Sequence, residues 1–512
     1  MRHQPNILML QVDQLSASAL RAYGNRCSIT PAIDRLAGAG LVFENAYTNF
    51  PVCASSRFSM MSGRLASAIE AFDNAAEFRA SIPTMAHYLR HLDYQTTLCG
   101  KMHFIGPDLL HGFEERLTPE IYSSDFMTLP DWSESERDDY ASDAYEALCE
   151  AGPAPRTVQM DYDEEVAFQA KRKLYDLART DDPRSFLLVV SFTHPHDPYI
   201  CRQEFWDLFS DAEIDMPRVG RFAESDLDPH SRRIYRHYNL SRPEITDDHV
   251  RRARRAYYGS LAYVDRYLGE LLDVARETGL LDDTIVVFTS DHGDMLGERG
   301  MWFKKVLFEN AMRVPLILAG PGIPEGRISE NVSLVDLMPT FVDAARAGSD
   351  FRCLGPLDGH SLWPLIERRS TAWPDTVHGE MTCEGVIEPV VMIRRGSFKF
   401  ICSSSTDPLL FDLSRDPDEL VDLAGDGGVA AIEADFRRLV DEKWGDLDDL
   451  RDRIVASQRT RKLVRSALEK GRYRSWDDNE TVGDGDRYLR YGKSYNAWNY
   501  TGVEKLRGGL AS

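Results

Sequence analysis

The feature that most constrains the fold is a set of short apolar runs that contain no charged residue. The five runs are Ile7–Val12, Thr96–Cys99, Phe186–Phe192, Thr284–Thr289 and Val314–Ala319. Continuous apolar runs, unlike alternating ones, are typical of strands that are covered on both faces, as in a parallel sheet. Because segments with helical spacing separate these runs, the pattern predicts an α/β fold with a large, doubly wound, mixed sheet.

Helical periodicity marks the segments between the strands. It covers Pro31–Ala39, Ile82–Leu92, Tyr257–Thr278 and Leu334–Ala345. The first of these follows Thr30, which we expect to cap the helix, and it places Pro31 in the first turn, where proline is tolerated.

The pattern of predicted strands and helices changes near residue 385. Three short antiparallel strands and a helix are predicted there, at Val390–Arg394, Phe398–Cys402, Leu409–Leu413 and Val429–Lys443. We therefore expect a catalytic α/β domain over residues 1–384, a smaller α+β subdomain with an antiparallel sheet over residues 385–455, and a tail over residues 456–512.

The tail is polar but contains several aromatic residues, namely Trp476, Tyr488, Tyr491, Tyr495, Trp498 and Tyr500. A disordered tail rarely holds so many aromatic side chains. We therefore expect an arm that packs on its own chain or on a neighbouring subunit.

Composition argues against several classes of partner. The net charge is −22, from 82 acidic and 60 basic residues, which argues against nucleic acid and against an anionic membrane surface. Eight cysteines occur without paired spacing, so neither a zinc site nor a disulfide framework is indicated. The apolar segment after residue 5 is too short for a signal peptide, and no segment is long enough to span a membrane. We expect a cytoplasmic enzyme.

Charged and polar side chains follow the ends of four predicted strands. They are Asp13, Lys101, His103, His194, His196, Asp291 and His292. Ligands of open α/β sheets bind at the carboxyl ends of the strands. One such residue could simply terminate a strand, and Asp291 to Asp294 could form a tight turn. Four strand ends that carry Asp, His and Lys together are hard to explain as solvated loops, so they predict an active site.

A short motif adds a candidate nucleophile. Cys53–Arg57 reads Cys-Ala-Ser-Ser-Arg and precedes Ser62–Arg64, which reads Ser-Gly-Arg. A cysteine near a helix start is, by itself, usually a small buried hydrophobic residue. The motif resembles the Cys-x-(Pro/Ala/Ser)-x-Arg signature of the type I sulfatases of the alkaline phosphatase superfamily, in which the cysteine is oxidised to formylglycine.

Further blocks similar to that family follow in the same order over roughly residues 5–425. The blocks are Pro5–Asp13, Thr30–Tyr47, Gly100–His103, Pro195–Pro198, Ser290–Gly293, Trp302–Pro315 and Leu410–Pro417. The resemblance implies the family's fold and its reaction, which is the hydrolysis of a sulfate monoester to an alcohol and inorganic sulfate.

The resemblance also implies a formylglycine at position 53 and a divalent cation. Cys53, converted by a formylglycine-generating maturation enzyme, would be the nucleophile, and Arg57, one helical turn later, would be its partner and hold a sulfate oxygen. A Ca²⁺ ion, or Mn²⁺ or Mg²⁺, would be bound by the position-53 hydrate together with Asp13, Gln14, Asp291 and His292. A hard cation of this kind prefers oxygen ligands and would lower the pKa of an aldehyde hydrate.

The matching basic residues would bind the sulfate group and transfer the protons. Lys101 and Lys304 are expected to hold sulfate oxygens, although Lys304 could also be a plain surface residue. His196, rather than His194, would protonate the leaving alcohol, and His103 would act as the base that releases sulfate and regenerates the aldehyde.

The resemblance is narrower at three segments. Phe72–Phe78, Lys101–Phe104 and Leu110–Glu115 resemble the choline sulfatases, as do the chain length and the tail. This implies choline O-sulfate or a related small alkyl or aryl sulfate as substrate, and a homodimer or homotetramer in which the tail reaches a neighbouring active site. The residues considered for binding the alcohol are Asn74, Glu384 and Trp498, with Phe126 and Trp132 as further candidates for a cation–π contact.

Three positions depart from the pattern. Gln14 stands where most type I sulfatases have a second Asp, Ser55 stands where the motif usually has Pro, and Thr128 stands where choline sulfatases have Trp. These differences bear on the metal, on the conversion of Cys53 and on the recognition of a trimethylammonium group.

Two other functions are compatible with the same residues. A phosphonate monoester or phosphodiester hydrolase on the same fold ranks second, because those relatives lack the Lys101 and His103 pair. A catalytically silent binding protein with unconverted Cys53 ranks third, because it would have no physical need for the charged residues around that position.

Overall fold

The structure is a computed structural model, and it describes residues 4–122, 125–126, 129–133, 143–241, 245–346, 349–368, 372–471, 476, 494–500 and 503. Thr128, Tyr488 and Tyr491, which the sequence analysis singled out, lie outside these residues.

The strands of the described chain, in order, are β1 (Asn6–Val12), β2 (Leu41–Tyr47), β3 (Gln95–Gly100), β4 (Glu115–Arg116), β5 (Gly152–Pro153), β6 (Phe186–Ser191), β7 (Ile200–Cys201), β8 (Thr284–Ser290), β9 (Leu316–Ala319), β10 (Gly326–Ser333), β11 (Thr376–Met381), β12 (Val390–Arg395), β13 (Phe398–Cys402) and β14 (Leu409–Asp412).

The α-helices are α1 (Pro31–Gly38), α2 (Cys53–Ser62), α3 (Ala66–Ile69), α4 (Met85–His91), α5 (Glu146–Cys149), α6 (Val158–Arg179), α7 (Gln203–Trp206), α8 (Pro229–His237), α9 (Asp247–Glu277), α10 (Glu309–Met312), α11 (Leu337–Ala345), α12 (Trp363–Ile366), α13 (Ala430–Trp444), α14 (Leu447–Leu468) and α15 (Tyr495–Asn499). No helix within the described ranges is both long and apolar enough to cross a membrane.

An eight-stranded sheet forms the core of the molecule, in the order β10-β2-β9-β8-β1-β6-β3-β4. Strand β9 runs antiparallel to both of its neighbours, and the other pairings are parallel. Every residue of β6 and β8 is buried, as are all but the first of β1, so these strands are covered on both faces. All five predicted strands are present, and the predicted α/β fold with a large mixed sheet is confirmed.

The register of the parallel strands explains why the polar residues converge. Val12 of β1 pairs with Ser290 of β8, so the residues that follow them, Asp13 and Asp291, leave the sheet side by side. Gly100 of β3 pairs with the last residue of β6, which places Lys101 at the same edge. The carboxyl ends of four adjacent strands therefore meet at one place.

Helix α1 begins where the sequence predicts, but a different residue caps it. The Thr30 side chain makes no capping hydrogen bond to the helix. The first-turn N–H groups of Ala32 and Ile33 instead donate to the Asp265 carboxylate, at 3.0 and 2.8 Å. Because Asp265 lies on α9, the N-terminus of α1 is satisfied by a residue more than two hundred positions away in sequence, which local patterns do not reveal.

Helix α9 starts at Asp247, ten residues before the predicted start at Tyr257. Its first three turns are rich in charge and lack a continuous apolar stripe, so periodicity alone placed the start too late. The helix predicted over Leu334–Ala345 is present as α11. Pro339 lies in the first turn of α11, where no intrahelical N–H bond is lost.

A second, antiparallel sheet, in the order β11-β12-β13-β14, follows the large one. Its first strand, β11, lies before residue 385, where we predicted the subdomain to begin. We did not predict this strand because its sequence, Thr-Val-His-Gly-Glu-Met, has no apolar run. Helix α14 runs through the position, near residue 456, at which we predicted the tail to begin.

The described part of the tail packs on its own chain. Helix α15 contacts α6, and Trp498 and Val503 are almost fully buried. The Asn499 side-chain oxygen accepts a hydrogen bond from the backbone N–H of Gln159, at 3.0 Å, in the first turn of α6. This contact corresponds to the first of the two arrangements that the sequence predicts for the tail.

Candidate active site

The candidate nucleophile begins a buried helix. Helix α2 starts at Cys53, after the loop that follows β2, and all ten of its residues are buried. The backbone N–H of Ala54 donates to Asn74 Oδ1 at 3.0 Å, which satisfies one of the free N–H groups of the first turn. Asn74 was considered for binding the substrate alcohol, and its side-chain oxygen accepts a hydrogen bond from the first turn of α2.

Four side chains with ligating atoms meet at the start of this helix. They are Asp13, Cys53, Asp291 and His292, all buried, and their ligating atoms lie within 4.8 Å of one another. The Cys53 sulfur is 3.1 Å from His292 Nε2 and 3.8 Å from Asp13 Oδ1. Two carboxylates and an imidazole suit a divalent cation, and an oxygen in place of the thiol would complete a set suited to a hard ion such as Ca²⁺.

Arg57 connects the two carboxylates of this cluster. Its Nε donates to Asp291 Oδ2 at 2.8 Å and its Nη2 donates to Asp13 Oδ2 at 2.9 Å. Its Nη1 donates to the carbonyl of Lys101 at 2.6 Å and to Ser191 Oγ at 2.9 Å. These bonds use four of the five N–H groups of the guanidinium. Arg57 was expected to hold a sulfate oxygen, and the contacts of its guanidinium also orient both carboxylates.

Lys101 lies on the other side of Asp13. Its ammonium group forms an ion pair with Asp13 Oδ2, and both side chains are fully buried. Gly100, at φ 104°, precedes it, and a Cβ at this position would collide with the carbonyl of Ser191 on β6. The glycine therefore allows β3 to approach β6 closely and to turn Lys101 into the cluster.

His103 and Lys101 share a contact with Tyr122, which the sequence analysis missed. The His103 and Tyr122 rings stack, with centroids 4.2 Å apart, and the Lys101 ammonium lies 4.0 Å from the Tyr122 centroid. The backbone N–H of His103 donates to the Glu120 carboxylate at 2.7 Å. Tyr122 carries no sequence signal, because it lies in a loop outside every quoted motif.

His196 lies between an acid and a base. Its Nδ1 is 2.7 Å from the carbonyl oxygen of Asp197 and 3.2 Å from the carboxylate of the same residue. Its Nε2 hydrogen-bonds the ammonium group of Lys304, which places the catalytic candidates His196 and Lys304 in direct contact. These contacts hold the ring between the carboxylate of Asp197 and the ammonium group of Lys304.

His194, in the same loop as His196, is buried and lies against a carboxylate outside the cluster. His194 Nδ1 is 2.7 Å from Asp163 Oδ2, and the same carboxylate accepts from the backbone N–H groups of Thr193 and His194. His194 is also fully buried, against the ring of Tyr263. Asp163 therefore anchors the start of the loop that carries His196.

Gln14 lies between the cluster and Lys304. Its backbone, at φ 62°, is in the left-handed region, and its N–H donates to Asp291 Oδ1 at 3.1 Å. Its side-chain nitrogen donates to Asp294 Oδ2 at 2.6 Å, and its side-chain oxygen accepts from Lys304. The amide oxygen, which was predicted to bind the cation, is thus directed to Lys304.

The electrostatics of the site agree with a cationic surrounding for an anionic ligand. Burial acts to raise the pKa of Asp13, but Lys101 and the other nearby cations hold it well below the usual range. Burial acts to lower the pKa of Lys304, but the neighbouring Cys53 and carboxylate side chains raise it. Burial lowers the pKa of His292, which favours the neutral imidazole that binds metals.

Glu384 forms an ion pair next to the nucleophile loop. Its Oε1 lies 2.7 Å from the ammonium group of Lys305, which also hydrogen-bonds His237 at 3.0 Å. The backbone N–H of Lys305 donates to the carbonyl of Pro51, two residues before Cys53. Burial acts to raise the pKa of Glu384, but Lys305 lowers it, so this residue is a carboxylate at neutral pH.

The remaining candidates for the alcohol site lie near the C-terminal helices. Trp132 donates its backbone N–H to Gln458 of α14 at 2.8 Å, and the ring of Phe126 makes an edge contact with Trp476, with centroids 5.2 Å apart. Trp498 is buried in α15. Burial acts to raise the pKa of Asp197, but nearby cations and polar side chains, including Asn496 of the same helix, lower it, so the described tail reaches the loop of His196 within one chain.

Comparison with known proteins agrees with this site. The family model described as Sulfatase matches residues 5–347. A model described as N-sulphoglucosamine sulphohydrolase, C-terminal, matches residues 297–444, and one described as Choline sulfatase enzyme C terminal matches residues 452–501.

Among curated proteins, the chain is 43% identical to a choline-sulfatase of Rhizobium meliloti, over 95% of this chain and 96% of the relative. It is 29% identical to an arylsulfatase of Clostridium perfringens, over 82% of this chain and 90% of the relative.

Solved structures share the fold. A phosphonate monoester hydrolase from Silicibacter pomeroyi aligns with a TM-score of 0.69 and 22% identity, over 85% of this chain and 94% of that one. A sulfatase-like protein from Bacteroides thetaiotaomicron aligns with a TM-score of 0.67 and 21% identity, over 86% and 92% of the two chains. Because one family model covers more than half of the chain and a 43% identical relative covers nearly all of it, the chain belongs to the sulfatase family and is a sulfuric ester hydrolase.

Proposed function

We propose that this sulfatase hydrolyses choline O-sulfate, or a related small alkyl or aryl sulfate, to the alcohol and inorganic sulfate. The observation that carries the proposal is the buried cluster of Asp13, Cys53, Asp291 and His292, with Lys101 paired to Asp13 at its side. A relative named choline-sulfatase, 43% identical along nearly the whole chain, supports the choice of alcohol.

The four clustered side chains would hold a divalent cation, and Ca²⁺ is our first choice, with Mn²⁺ or Mg²⁺ as alternatives. When bound, the ion would neutralise charge on the sulfate group and lower the pKa of the nucleophile. Arg57 keeps both carboxylates turned toward the site by donating to one oxygen of each.

Cys53 would be present as formylglycine in the active enzyme, formed by a maturation enzyme. An oxygen-bearing side chain at position 53 matches the hard ligand set around it, whereas a thiol does not. When formed, it would supply the oxygen that attacks the sulfur atom of the ester.

The remaining residues would bind sulfate and move protons. Lys101 and Lys304 would neutralise the oxygens of the sulfate group. His196, paired with Asp197, would donate a proton to the bridging oxygen of the leaving alcohol, and His103 would accept a proton when sulfate is released.

Glu384 is our candidate for contact with the trimethylammonium group. Lys305 uses one of its oxygens, while the other oxygen, Oε2, is buried without a hydrogen-bond partner among the described residues. A quaternary ammonium ion donates no hydrogen bond, so a carboxylate oxygen that lacks a donor is a suitable neighbour for it.

Steady-state kinetics on three sulfate esters would test the substrate. We expect kcat/KM for choline O-sulfate to exceed that for its neutral isostere, 3,3-dimethylbutyl sulfate, about tenfold, as a desolvated cation contact implies. Glu384→Gln, which keeps the shape of the side chain, should remove this preference while leaving 4-nitrophenyl sulfate hydrolysis within a few-fold. Equal kcat/KM for choline O-sulfate and the neutral isostere would reject choline as the substrate.

We further propose a cytoplasmic homodimer or homotetramer. All eight cysteines are free, which is typical of proteins in a reducing compartment. The match of residues 452–501 to a choline sulfatase C-terminal model supports a tail of the kind that connects subunits, and light scattering of the purified protein would give the subunit number.

A further inference from the structure

Asp294 is a buried carboxylate that the proposed reaction does not use. It lies two residues after His292, its side chain is fully buried, and it accepts four hydrogen bonds. The donors are the side chain of Gln14 at 2.6 Å, the hydroxyl of Tyr199 at 2.8 Å, the backbone N–H of Leu296 at 2.8 Å and the backbone N–H of Phe303 at 3.0 Å. The two backbone N–H groups can only donate, so they require an acceptor, and a carboxylate oxygen supplies one.

Two of these contacts lead to Lys304. Phe303, whose N–H is held by Asp294, is the residue immediately before Lys304. Gln14, whose side-chain nitrogen is held by Asp294, accepts a hydrogen bond from the Lys304 ammonium group through its side-chain oxygen. Asp294 thus contacts the backbone of Phe303, next to Lys304, and the Gln14 side chain, which accepts a hydrogen bond from the Lys304 ammonium group.

The chemistry of the neighbours determines the direction of the Gln14 amide. A carboxylate only accepts and an ammonium group only donates, so the amide nitrogen must face Asp294 and the amide oxygen must face Lys304. A carboxylate at position 14 would bring two acids into hydrogen-bond distance in a buried site, which is costly. An acid at position 294 and an amide at position 14 therefore form a matched pair.

We propose that Asp294 is a positioning residue for the sulfatase reaction, which orients the Gln14 amide and thereby holds Lys304 in place to bind the sulfate group. The inference rests on the sulfate-binding role proposed for Lys304. It assigns a role to a side chain that touches neither the cation cluster nor the nucleophile in the described contacts.

Exchanging the two groups provides the test. In Asp294→Asn, the new NH₂ faces the Gln14 nitrogen, so the amide must rotate and present its nitrogen to Lys304. In Gln14→Glu, two carboxylates oppose each other. In the double variant, Asn at 294 donates to Glu at 14, whose other oxygen still accepts from Lys304, and the Tyr199 hydroxyl can accept instead of donate.

Two readouts apply to each of the three proteins. The first is kcat/KM for 4-nitrophenyl sulfate, which does not depend on the identity of the natural alcohol. The second is the thermal unfolding temperature in a chelator, which does not depend on a bound metal. We expect each single variant to lose about 10- to 100-fold in kcat/KM, as is usual when support of a site is lost. The activity of the double variant should be at least about tenfold higher than the product of the two single losses predicts. The fall in its unfolding temperature should be smaller than the sum of the two single falls.

Independent losses in both readouts would overturn the inference. Coupled unfolding temperatures with independent losses in kcat/KM would overturn the positioning role, because the contact would then be only structural. Tyr199→Phe is the matched control, since it removes another donor to the same carboxylate without touching Gln14. It should lower the unfolding temperature and change kcat/KM less than about threefold. If the wild-type protein released no sulfate, the proposed function would fail, and the unfolding measurements alone would still decide whether residues 14 and 294 are coupled.

Discussion

Arg57 is a residue whose role follows from its contacts rather than from its charge alone. It donates to one oxygen of Asp13 and to one oxygen of Asp291, and it is fully buried with both. A guanidinium can reach two carboxylates at once because its N–H groups diverge in a plane, whereas an ammonium group is a compact point charge.

Arg57→Lys should therefore keep the charge and lose the geometry. We expect metal affinity, measured by calorimetry with Ca²⁺, to fall about 10- to 100-fold, with a parallel loss of activity. Ser62→Ala is a suitable control, because Ser62 is buried in the same helix and its hydroxyl bonds only to backbone carbonyls of that helix. Unchanged calcium affinity in Arg57→Lys would show that the carboxylates need no such orientation.

A variant of His196 tests whether this residue donates a proton to the leaving alcohol. Its removal should matter most where the leaving alcohol is a poor leaving group that needs a proton. We expect His196→Ala to slow an alkyl sulfate by about 100-fold or more and 4-nitrophenyl sulfate much less, because nitrophenolate leaves without protonation. Equal losses on both esters would remove His196 from the acid role.

At the scale of secondary-structure elements, helix α1 depends on a distant cap. Asp265 of α9 accepts from two first-turn N–H groups of α1, and burial raises the pKa of this carboxyl to about 6. A folded-state pKa above the unfolded value stabilises the fold at low pH, and this contribution is lost as pH rises through about 6.

Asp265→Ala should consequently lower the free energy of unfolding, by about 1–2 kcal/mol from the lost cap. The destabilisation should be about 1 kcal/mol larger at pH 5 than at pH 8, because the wild-type protein gains from the protonated carboxyl only at the lower pH. Denaturant titrations at the two pH values would measure the difference. Asp273→Ala, at an exposed position of α9, is the control and should show little of it. A larger effect at pH 8 would contradict the sign.

At the scale of the whole molecule, the C-terminal helices are attached to the active-site region. Arg461 of α14 forms a two-pronged ion pair with Asp73, at 2.6 and 2.7 Å, one residue before Asn74, which caps the nucleophile helix. Helix α15 contributes the Asn496 side chain, which lies near Asp197, and the hydrogen bond between Asn499 and α6. The end of the chain therefore lies against residues that support Cys53 and His196, which we propose as nucleophile and acid.

A chain that ends after Lys470 lacks α15 and should lose activity while retaining its main sheet. We expect kcat/KM to fall about 10- to 100-fold, as for other losses of supporting contacts, and the oligomer to weaken in light scattering. Asn496→Ala, which removes a polar side chain near Asp197, should reproduce part of the kinetic loss without affecting assembly. A fully active truncated protein with unchanged subunit number would rule out a role for the tail.

The sequence predicts the sheet and the residues at its edge well, because both depend on local patterns. The uncharged apolar runs identify the strands, and the parallel register then brings Asp13, Lys101 and Asp291 together. The direction of a side chain is a different matter. Arg57 is part of the motif, but its contacts with Asp13, Lys101 and Asp291 depend on three separate strand ends.

Other features were missed because they depend on contacts that are distant in sequence. The cap from Asp265, the stacking partner Tyr122 and the pairing of Arg461 with Asp73 each join segments that no local pattern connects. Strand β11 was missed for another reason: it is stabilised by pairing with β12 rather than by an apolar run of its own.

The central claim is that the side chain at position 53 is oxidised to formylglycine in the active enzyme. Mass spectrometry of the tryptic peptide that covers residues 36–57 measures this directly. The account predicts a peptide about 18 Da lighter than the cysteine form, as conversion of the thiol to an aldehyde requires. An entirely unmodified cysteine in protein that releases sulfate would contradict it.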